Sequence, residues 1–187
     1  MIRSKEDYKR FLSVEICNGD KPKHFLFLYV KTFFKPTSKF LLLLRTCEYY
    51  LNTNKISLLY YVVKFLKFKL STKLGFSIPE NVADEGLQLP HYGTIVINKG
   101  ARLGKRCRVH ACVNIGASGG SLEAPQIGDM VYIGPGAKIY GNIRIENRIA
   151  ISANSVVNRS FLNSDRMIAG VPAAEIKKID ISNLIKT

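Results

Sequence analysis

From residue 90 onward, an aliphatic side chain recurs every six residues. The recurring positions are Ile97, Leu103, Val109, Ile115, Ile127, Ile133, Ile139, Ile145, Ile151 and Val157. Ile115 and Ile127 are twelve residues apart, two periods, so a loop at 117–126 interrupts the ladder without changing its phase. A period of six fits neither the helical repeat nor the alternation of a simple strand, but it fits short flat strands that each form one side of a triangular prism. The pattern therefore predicts a parallel β-helix.

A second row of smaller side chains supports this prediction. Four residues after most ladder positions come Ala101, Cys107, Val113, Val131, Ala137, Ile143, Ile149 and Ser155. Small side chains fit inside a prism where neighbouring strands converge at a corner. The alternative, a run of ordinary antiparallel strands, does not explain ten aliphatic positions in one phase.

Residues 1–74 have a helical pattern instead. Between Leu58 and Leu70 the apolar side chains form one helical stripe and two lysines lie off it. The stripe consists of Leu59, Val62, Val63, Leu66 and Leu70, and the lysines are Lys64 and Lys67. Packing against the rest of the domain and contact with a membrane surface both remain open. The apolar runs 25–34 and 40–44 are shorter than the roughly 20 residues of a spanning helix, and the charged start of the chain predicts a cytoplasmic protein.

Charge and cysteine content narrow the possible partners. The net charge is +14, and residues 1–74 hold 15 of the basic residues against five acidic ones. Such an excess suits nucleic acid, an anionic membrane or a polyanionic small ligand. The basic residues are interleaved with apolar stripes and form no nucleic-acid-binding motif, so nucleic acid is not the expected partner. The four cysteines have no CxxC spacing, which argues against a zinc site and predicts reduced, mostly buried thiols.

The hexapeptide ladder, together with "IGPGAKIYGNI" and "AGVPA", resembles the left-handed β-helix acyltransferases. Within them the chain looks most like the serine acetyltransferase branch and its relatives in polysaccharide gene clusters. The resemblance implies a mainly β protein with a left-handed parallel β-helix at 75–172, a helical segment at 1–74 and a C-terminal tail at 173–187. It also implies a homotrimer that binds acetyl-CoA, without a metal, in a groove between neighbouring prisms.

The resemblance gives "LPHYGTIV" a catalytic role, because a histidine ahead of this apolar strand is the base in serine acetyltransferase-like enzymes. That histidine is His91. An imidazole, with an ordinary pKa of about 6.5, can accept a hydroxyl proton as the oxygen attacks a thioester. His110 is the competing candidate for the base, and it is also expected to contact the acceptor.

The same resemblance assigns residues to acetyl-CoA. Ala117 and Ser118 are expected at the thioester and pantetheine arm, and Pro135, Gly136 and Ala153 at later corners of the same groove. Small residues there are also explained by the corners alone. Pro172, within "AGVPA", and Lys177 are expected near the nucleotide end, although Lys177 also fits a solvated surface lysine.

The acceptor is expected to be a sugar or glycan hydroxyl. Serine enzymes have aspartates where this chain has Phe76 and Pro90, and their second histidine is replaced around Glu123. Loss of these groups leaves fewer partners for a free amino acid. Glu85 or Asp84 is expected to orient His91 instead. Serine O-acetylation and a non-catalytic binding protein of the same fold are the alternatives.

Overall fold

The computed structural model describes residues 1–17, 19–21 and 24–185. Within them four α-helices come first: α1 (Lys5–Glu15), α2 (Phe25–Lys31), α3 (Pro36–Asn52) and α4 (Leu58–Leu74). The Ser4 hydroxyl caps α1 by accepting a hydrogen bond from the Asp7 N–H at 3.0 Å. Gly75, in the left-handed conformation with φ 76°, ends α4 and turns the chain into the first strand.

Short strands follow, and they run parallel to their neighbours except for the last pair. They are β1 (Phe76–Ser77), β2 (Ile95–Ile97), β3 (Arg102–Leu103), β4 (Arg108–Val109), β5 (Asn114–Gly116), β6 (Gln126–Ile127), β7 (Tyr132–Ile133), β8 (Lys138–Tyr140), β9 (Arg144–Ile145), β10 (Ile149–Ile151), β11 (Val156–Val157), β12 (Arg166–Gly170) and β13 (Ala173–Lys178). A short 3-10 helix spans Ile181–Asn183.

The strands form the three faces of a prism. The A face contains β1, β2, β5, β8 and β11, the B face β3, β6 and β9, and the C face β4, β7, β10, β12 and β13. Val96 pairs with Asn114, one coil of 18 residues further on. Asn114 pairs with Lys138, and the six extra residues in that coil belong to the 117–126 loop. The predicted parallel β-helix is confirmed.

The predicted ladder forms the core of the prism. Its ten aliphatic side chains are at most 4% exposed, and the smaller partners are buried beside them. Cys107 points inward, and its thiol donates to the Gly128 carbonyl at 3.2 Å. Cys17 and Cys47 are also buried, Cys112 is exposed, and all four are free thiols, as predicted.

A buried ion cluster fastens the helices to the first coil. Arg45 Nη2 donates to Glu15 at 2.7 Å and Nη1 donates to Glu48 at 2.8 Å. Arg45 Nη1 also donates to the Ala83 carbonyl at 2.9 Å, and Glu15 accepts from the Gly86 N–H at 3.0 Å. Both charged groups of the Arg45–Glu15 pair are fully buried. The cluster therefore fixes where the helical segment sits on the end of the β-helix.

The predicted helix at 58–70 exists as α4, but its predicted stripe is partly wrong. Val63 is buried, whereas Leu59 and Val62 are 52% and 46% exposed. Lys67, expected off the packed stripe, is buried and its ammonium donates to Glu80 at 2.6 Å. The buried side of α4 therefore includes this ion pair and differs from the predicted apolar stripe.

Residues 173–178, grouped with the C-terminal tail in the sequence analysis, form β13 and pair antiparallel with β12. The chain then returns across the C face. Ile181 and Ile185 are buried there against Ala150.

Candidate active site

Two edges of the prism hold most of the predicted site residues. The chain passes from the C face to the A face at 90–93, 110–112, 134–136 and 152–154, here called the C–A edge. The 117–126 loop leaves the prism between the A and B faces, at the A–B edge.

His91 and His110 meet on the C–A edge. Gln88 pairs with Arg108 in register, so the corners that follow these residues stack on consecutive coils. The ring centroids of His91 and His110 are 5.8 Å apart. The ring of Tyr132 continues the column, 4.9 Å from His110. His91 is exposed and His110 is half-buried, so the more accessible imidazole is the predicted base.

Arg108 determines the tautomer of His110 and favours its neutral form. Its Nε–H donates to His110 Nε2 at 3.3 Å, which leaves the imidazole proton on Nδ1. Burial lowers the pKa of His110, and the positive charges of Arg108 and of a protonated His91 lower it further. Arg108 Nη1 also donates to the Leu184 carbonyl at 3.4 Å, so the C-terminal segment helps to hold the guanidinium. The arrangement favours a neutral His110.

Three of the residues expected at acetyl-CoA lie on the same edge as His91. Pro135 and Ala153 are exposed at successive corners. Gly136 has a φ of 77°, and a Cβ built on it would lie 2.0 Å from Asn154 Oδ1. Glycine therefore suits position 136, although Cys112 and Asn154 hold positive φ values at the stacked corners.

Ala117 and Ser118 lie elsewhere, at the base of the loop on the A–B edge. The width of the A face separates them from Pro135 and Ala153 of the same prism. The structure does not bring these two sets together within one chain.

The C-terminal hairpin separates the other two residues expected at acetyl-CoA. Ile151 pairs with Ile168, so β12 ends at the C–A edge, and Pro172 lies in the turn just beyond it. Lys177 pairs with Met167 near the opposite end of the hairpin. A ligand that touches both Pro172 and Lys177 has to run along β13.

The two carboxylates expected to orient His91 form ion pairs with residues of the N-terminal segment. Glu85 accepts a hydrogen bond from Arg10 Nε at 2.7 Å, and Asp84 pairs with the Met1 ammonium at 3.0 Å. Both lie one prism side away from His91, where the chain passes from the B face to the C face. These contacts give no support to the role expected for Glu85 or Asp84 at His91.

A groove of about 600 Å³ opens beside the histidines, between the helical segment and the first two coils. Pro90, Arg106 and Arg108 line its β-helix side. Its helical side is lined by Val14, Glu15, Thr37, Ser38 and Leu41. The sequence analysis missed Arg106 and Arg108 as site residues. Arg108 comes directly before ladder residue Val109, so strand alternation predicts that it points outward.

The positions that lack the family's carboxylates have other contacts. Phe76 is buried, with its ring 5.1 Å from the ring of Phe40 on α3. Pro90 lines the groove, and the amide of Asn142 donates to the Glu123 carboxylate at the loop. Among the residues that the structure describes, no group of three or more His, Cys, Asp and Glu side chains could hold a metal ion.

The fold and the repeat are those of the hexapeptide-repeat transferases. Residues 124–159 match the family model described as Bacterial transferase hexapeptide (six repeats). The predicted fold class, a left-handed parallel β-helix with an α-helical N-terminal segment, is confirmed.

A more specific likeness is to serine acetyltransferases. The chain is 33% identical over 128 residues to the serine acetyltransferase of Buchnera aphidicola subsp. Schizaphis graminum, which covers 66% of this chain and 49% of that protein. The chain thus spans about half the length of the curated relatives that it matches.

Solved structures give the same likeness. The serine acetyltransferase of Neisseria gonorrhoeae superposes with a TM-score of 0.65 and 25% identity, covering 92% of this chain and 64% of that one. A serine acetyltransferase in complex with Coenzyme A from Brucella abortus strain S19 superposes with a TM-score of 0.67 and 22% identity, covering 94% and 67%. The latter supports the fold alone.

These comparisons correct the expected acceptor. The sequence analysis placed the chain nearest to polysaccharide-cluster enzymes and expected a sugar or glycan hydroxyl. That expectation is wrong, since the similar proteins found by sequence and by structure are serine acetyltransferases. Missing carboxylates at Phe76 and Pro90 were given too much weight, because a changed side chain shows only that one contact differs.

Proposed function

We propose that the protein is an acetyl-CoA-dependent serine O-acetyltransferase. The observation that carries the proposal is the 33% identity to a serine acetyltransferase over 128 residues. The paired imidazoles on the C–A edge support the same chemistry, since a neutral imidazole is a suitable base for a hydroxyl group.

In the proposed reaction His91 removes the hydroxyl proton of serine. The serine oxygen attacks the acetyl carbonyl carbon of acetyl-CoA, and the C–S bond then breaks. His91 returns the proton to the sulfur, so the products are O-acetylserine and the free thiol of CoA. Backbone N–H groups at a coil corner stabilise the oxyanion of the tetrahedral intermediate. Transfer within this ternary complex needs no covalent enzyme intermediate and no metal.

The proposed acetyl-CoA groove lies between two chains. Pro135, Ala153 and His91 line one wall on the C–A edge, and Ala117 and Ser118 line the other from the A–B edge of a neighbour. One prism cannot supply both walls, because its A face lies between them. A cyclic homotrimer supplies three equivalent grooves of this kind. The identity to curated serine acetyltransferases supports the choice of acetyl-CoA as the ligand.

The groove beside the histidines is the proposed serine site. Arg108 suits the α-carboxylate, since guanidinium groups form charge-assisted hydrogen bonds with carboxylates. Arg106 lines the same groove further from His91, at the passage from the B face to the C face, where its backbone N–H donates to the Glu85 carbonyl at 2.8 Å. Thr37 and Ser38 bring hydroxyl groups to the opposite wall. These arginines do not replace the aspartates that the chain lacks at Phe76 and Pro90, because their charge is opposite.

Release of the CoA thiol from acetyl-CoA tests the proposal, with L-serine, D-serine and a free hexose as separate acceptors. L-serine is expected to support turnover, and mass spectrometry should find O-acetylserine. Arg108→Gln should raise the KM for L-serine about 10- to 100-fold with a smaller change in the KM for acetyl-CoA. Arg102→Gln, on the exposed B face, is the matched control. Binding of acetyl-CoA without acetyl transfer to L-serine would instead favour a non-catalytic protein of this fold.

A further inference from the structure

The helical segment carries a surface that the proposed reaction does not use. On α2 and the turn after it, Val30, Phe33 and Phe34 are 64%, 64% and 90% exposed. On α4, Leu58, Tyr61, Phe65 and Phe68 are 82%, 60%, 54% and 65% exposed. These seven residues, together with the lysines that lie beside them, define the basic–apolar face.

The two helices of this face both pack on α3. Phe25 and Tyr29 of α2 pack with Tyr60 and Val63 of α4 in one hydrophobic cluster against α3. The exposed residues of α4 follow a spacing of three and four residues, so they form one stripe along the helix. The exposed apolar side chains therefore lie on two helices that pack on the same third helix.

The packing of α4 leaves three of its four aromatic side chains outside. Its inward side holds Tyr60, Val63 and the Lys67–Glu80 ion pair, whereas Phe65 and Phe68 face solvent. A helix that only had to cover its own domain would gain stability by burying phenylalanine before lysine. This inversion points to something outside the chain that contacts the exposed stripe.

Lysines accompany the exposed aromatic rings. Lys39 Nζ lies 5.1 Å from the Phe33 ring centroid, and Lys69 Nζ lies 5.0 Å from that of Phe65. Lys31 and Lys64 are also exposed. Between residues 21 and 79 the sequence contains one acidic residue, Glu48, which is buried against Arg45. Within residues 21–79, exposed carboxylates therefore do not offset the positive charge.

We propose that the basic–apolar face docks on an anionic lipid surface. Phenylalanine, leucine and tyrosine side chains insert at the boundary of headgroups and acyl chains, while lysines extend to the lipid phosphates. A second copy of this chain fits less well, because it would bring lysines against lysines over the same area. Nucleic acid would leave the exposed aliphatic side chains without an apolar environment.

The attachment is peripheral. Within residues 1–17, 19–21 and 24–185, none of the helices has both the length and the hydropathy of a membrane-spanning segment. The proposal does not rest on the proposed acetyl transfer, since the face lies on the helical segment and the two histidines lie on the β-helix.

Vesicle flotation with the full chain tests the proposal. The chain should float with vesicles of phosphatidylcholine and phosphatidylglycerol, and poorly with phosphatidylcholine alone or in high salt. Phe34→Ser combined with Phe68→Ser should weaken binding about tenfold or more, because both inserted rings are lost. Lys64→Gln and Lys69→Gln should each weaken it about fivefold.

Two exposed positions on the β-helix provide matched controls, Leu162→Ser for the aromatic changes and Lys99→Gln for the lysines. Both controls should bind like the unaltered chain. Circular dichroism should show unchanged folding for every variant, since each altered side chain is exposed. The proposal fails if the anionic vesicles do not retain the chain, or if the Phe34 and Phe68 double variant binds equally well. It also fails if that variant instead lowers the molar mass in light scattering, which would identify a second copy as the occupant.

Discussion

The imidazole rings of His91 and His110 lie 5.8 Å apart on consecutive coils of the β-helix. The register of the first two coils produces this contact, because Gln88 pairs with Arg108 and each histidine follows at the next corner. A positive charge on His91 at this separation disfavours protonation of His110. Arg108 favours the neutral form of His110, because its guanidinium is positively charged and donates to His110 Nε2.

The lowered pKa of His110 predicts a pH dependence of stability. Between that pKa and the ordinary value of about 6.5, the unfolded chain binds more protons than the folded one, so stability rises with pH. The free energy of unfolding should therefore fall as the pH drops below about 6.5. Urea denaturation at several pH values measures this, and His110→Gln should show a shallower dependence over the same range.

Arg108→Met should raise the pKa of His110, because it removes a neighbouring positive charge. NMR titration of the imidazole protons reports the pKa directly. Arg102→Met, on the B face, is the control and should leave it unchanged. An unchanged or lower pKa in Arg108→Met would show that burial alone sets the value.

Mixed trimers test whether two chains build one site. His91→Ala removes the base from the C–A edge, and Ser118→Trp blocks the A–B edge, so each variant alone should be nearly inactive. Coexpression should restore roughly a quarter of the wild-type turnover per site, because random assortment joins an intact edge to an intact loop at that frequency. Light scattering should give the mass of three chains. Absence of recovery in verified mixed trimers would place each site within one chain.

Blocking one wall of the proposed acetyl-CoA groove should lower the affinity for acetyl-CoA and leave the trimer intact. Ala153→Trp adds a large side chain at an exposed corner, and acetyl-CoA binding by calorimetry should weaken strongly while the trimer remains. Leu162→Trp, exposed on another edge, should bind normally. Gly136→Trp is unsuitable for this test, since the new Cβ would collide with Asn154. Unchanged affinity in Ala153→Trp would remove Ala153 from the site.

Arg45→Met should destabilise the chain by about 3–5 kcal/mol, because the carboxylates of Glu15 and Glu48 would stay buried without their cation. Urea denaturation at one fixed protein concentration measures the change. Arg144→Met breaks an exposed pair with Glu146 and should change stability by less than about 1 kcal/mol. Similar effects of the two substitutions would contradict the role given to the buried cluster.

The repeat made the β-helix predictable from the sequence. The side of α4 that is buried could not be predicted in the same way. Each ladder residue such as Ile133 meets an equivalent residue one coil away, so local spacing already determines its long-range partner. The burial of Lys67 depends on Glu80, which lies in the first coil and outside any helical pattern. A pattern search could not anticipate that ion pair.

The candidate site was predictable in part for the same reason. His91 and Pro135 share an edge because both follow C-face strands at the same phase of the repeat. Arg106 and Arg108 were missed because their position in the groove depends on where α1 and α3 pack. The expected partner of His91 was sought among residues close in sequence, Asp84 and Glu85, whereas the structure brings His110 against it from the next coil.

The most direct test of the account is turnover with L-serine and labelled acetyl-CoA in His91→Ala, with His110→Ala measured beside it. His91→Ala should still bind acetyl-CoA and form trimers, but its kcat should fall about 10²- to 10⁴-fold, as expected for loss of a general base. His110→Ala should lose less, mainly through a higher KM for L-serine. Wild-type formation of O-acetylserine by His91→Ala, with activity abolished in a folded His110→Ala, would contradict the assignment of His91 as the base.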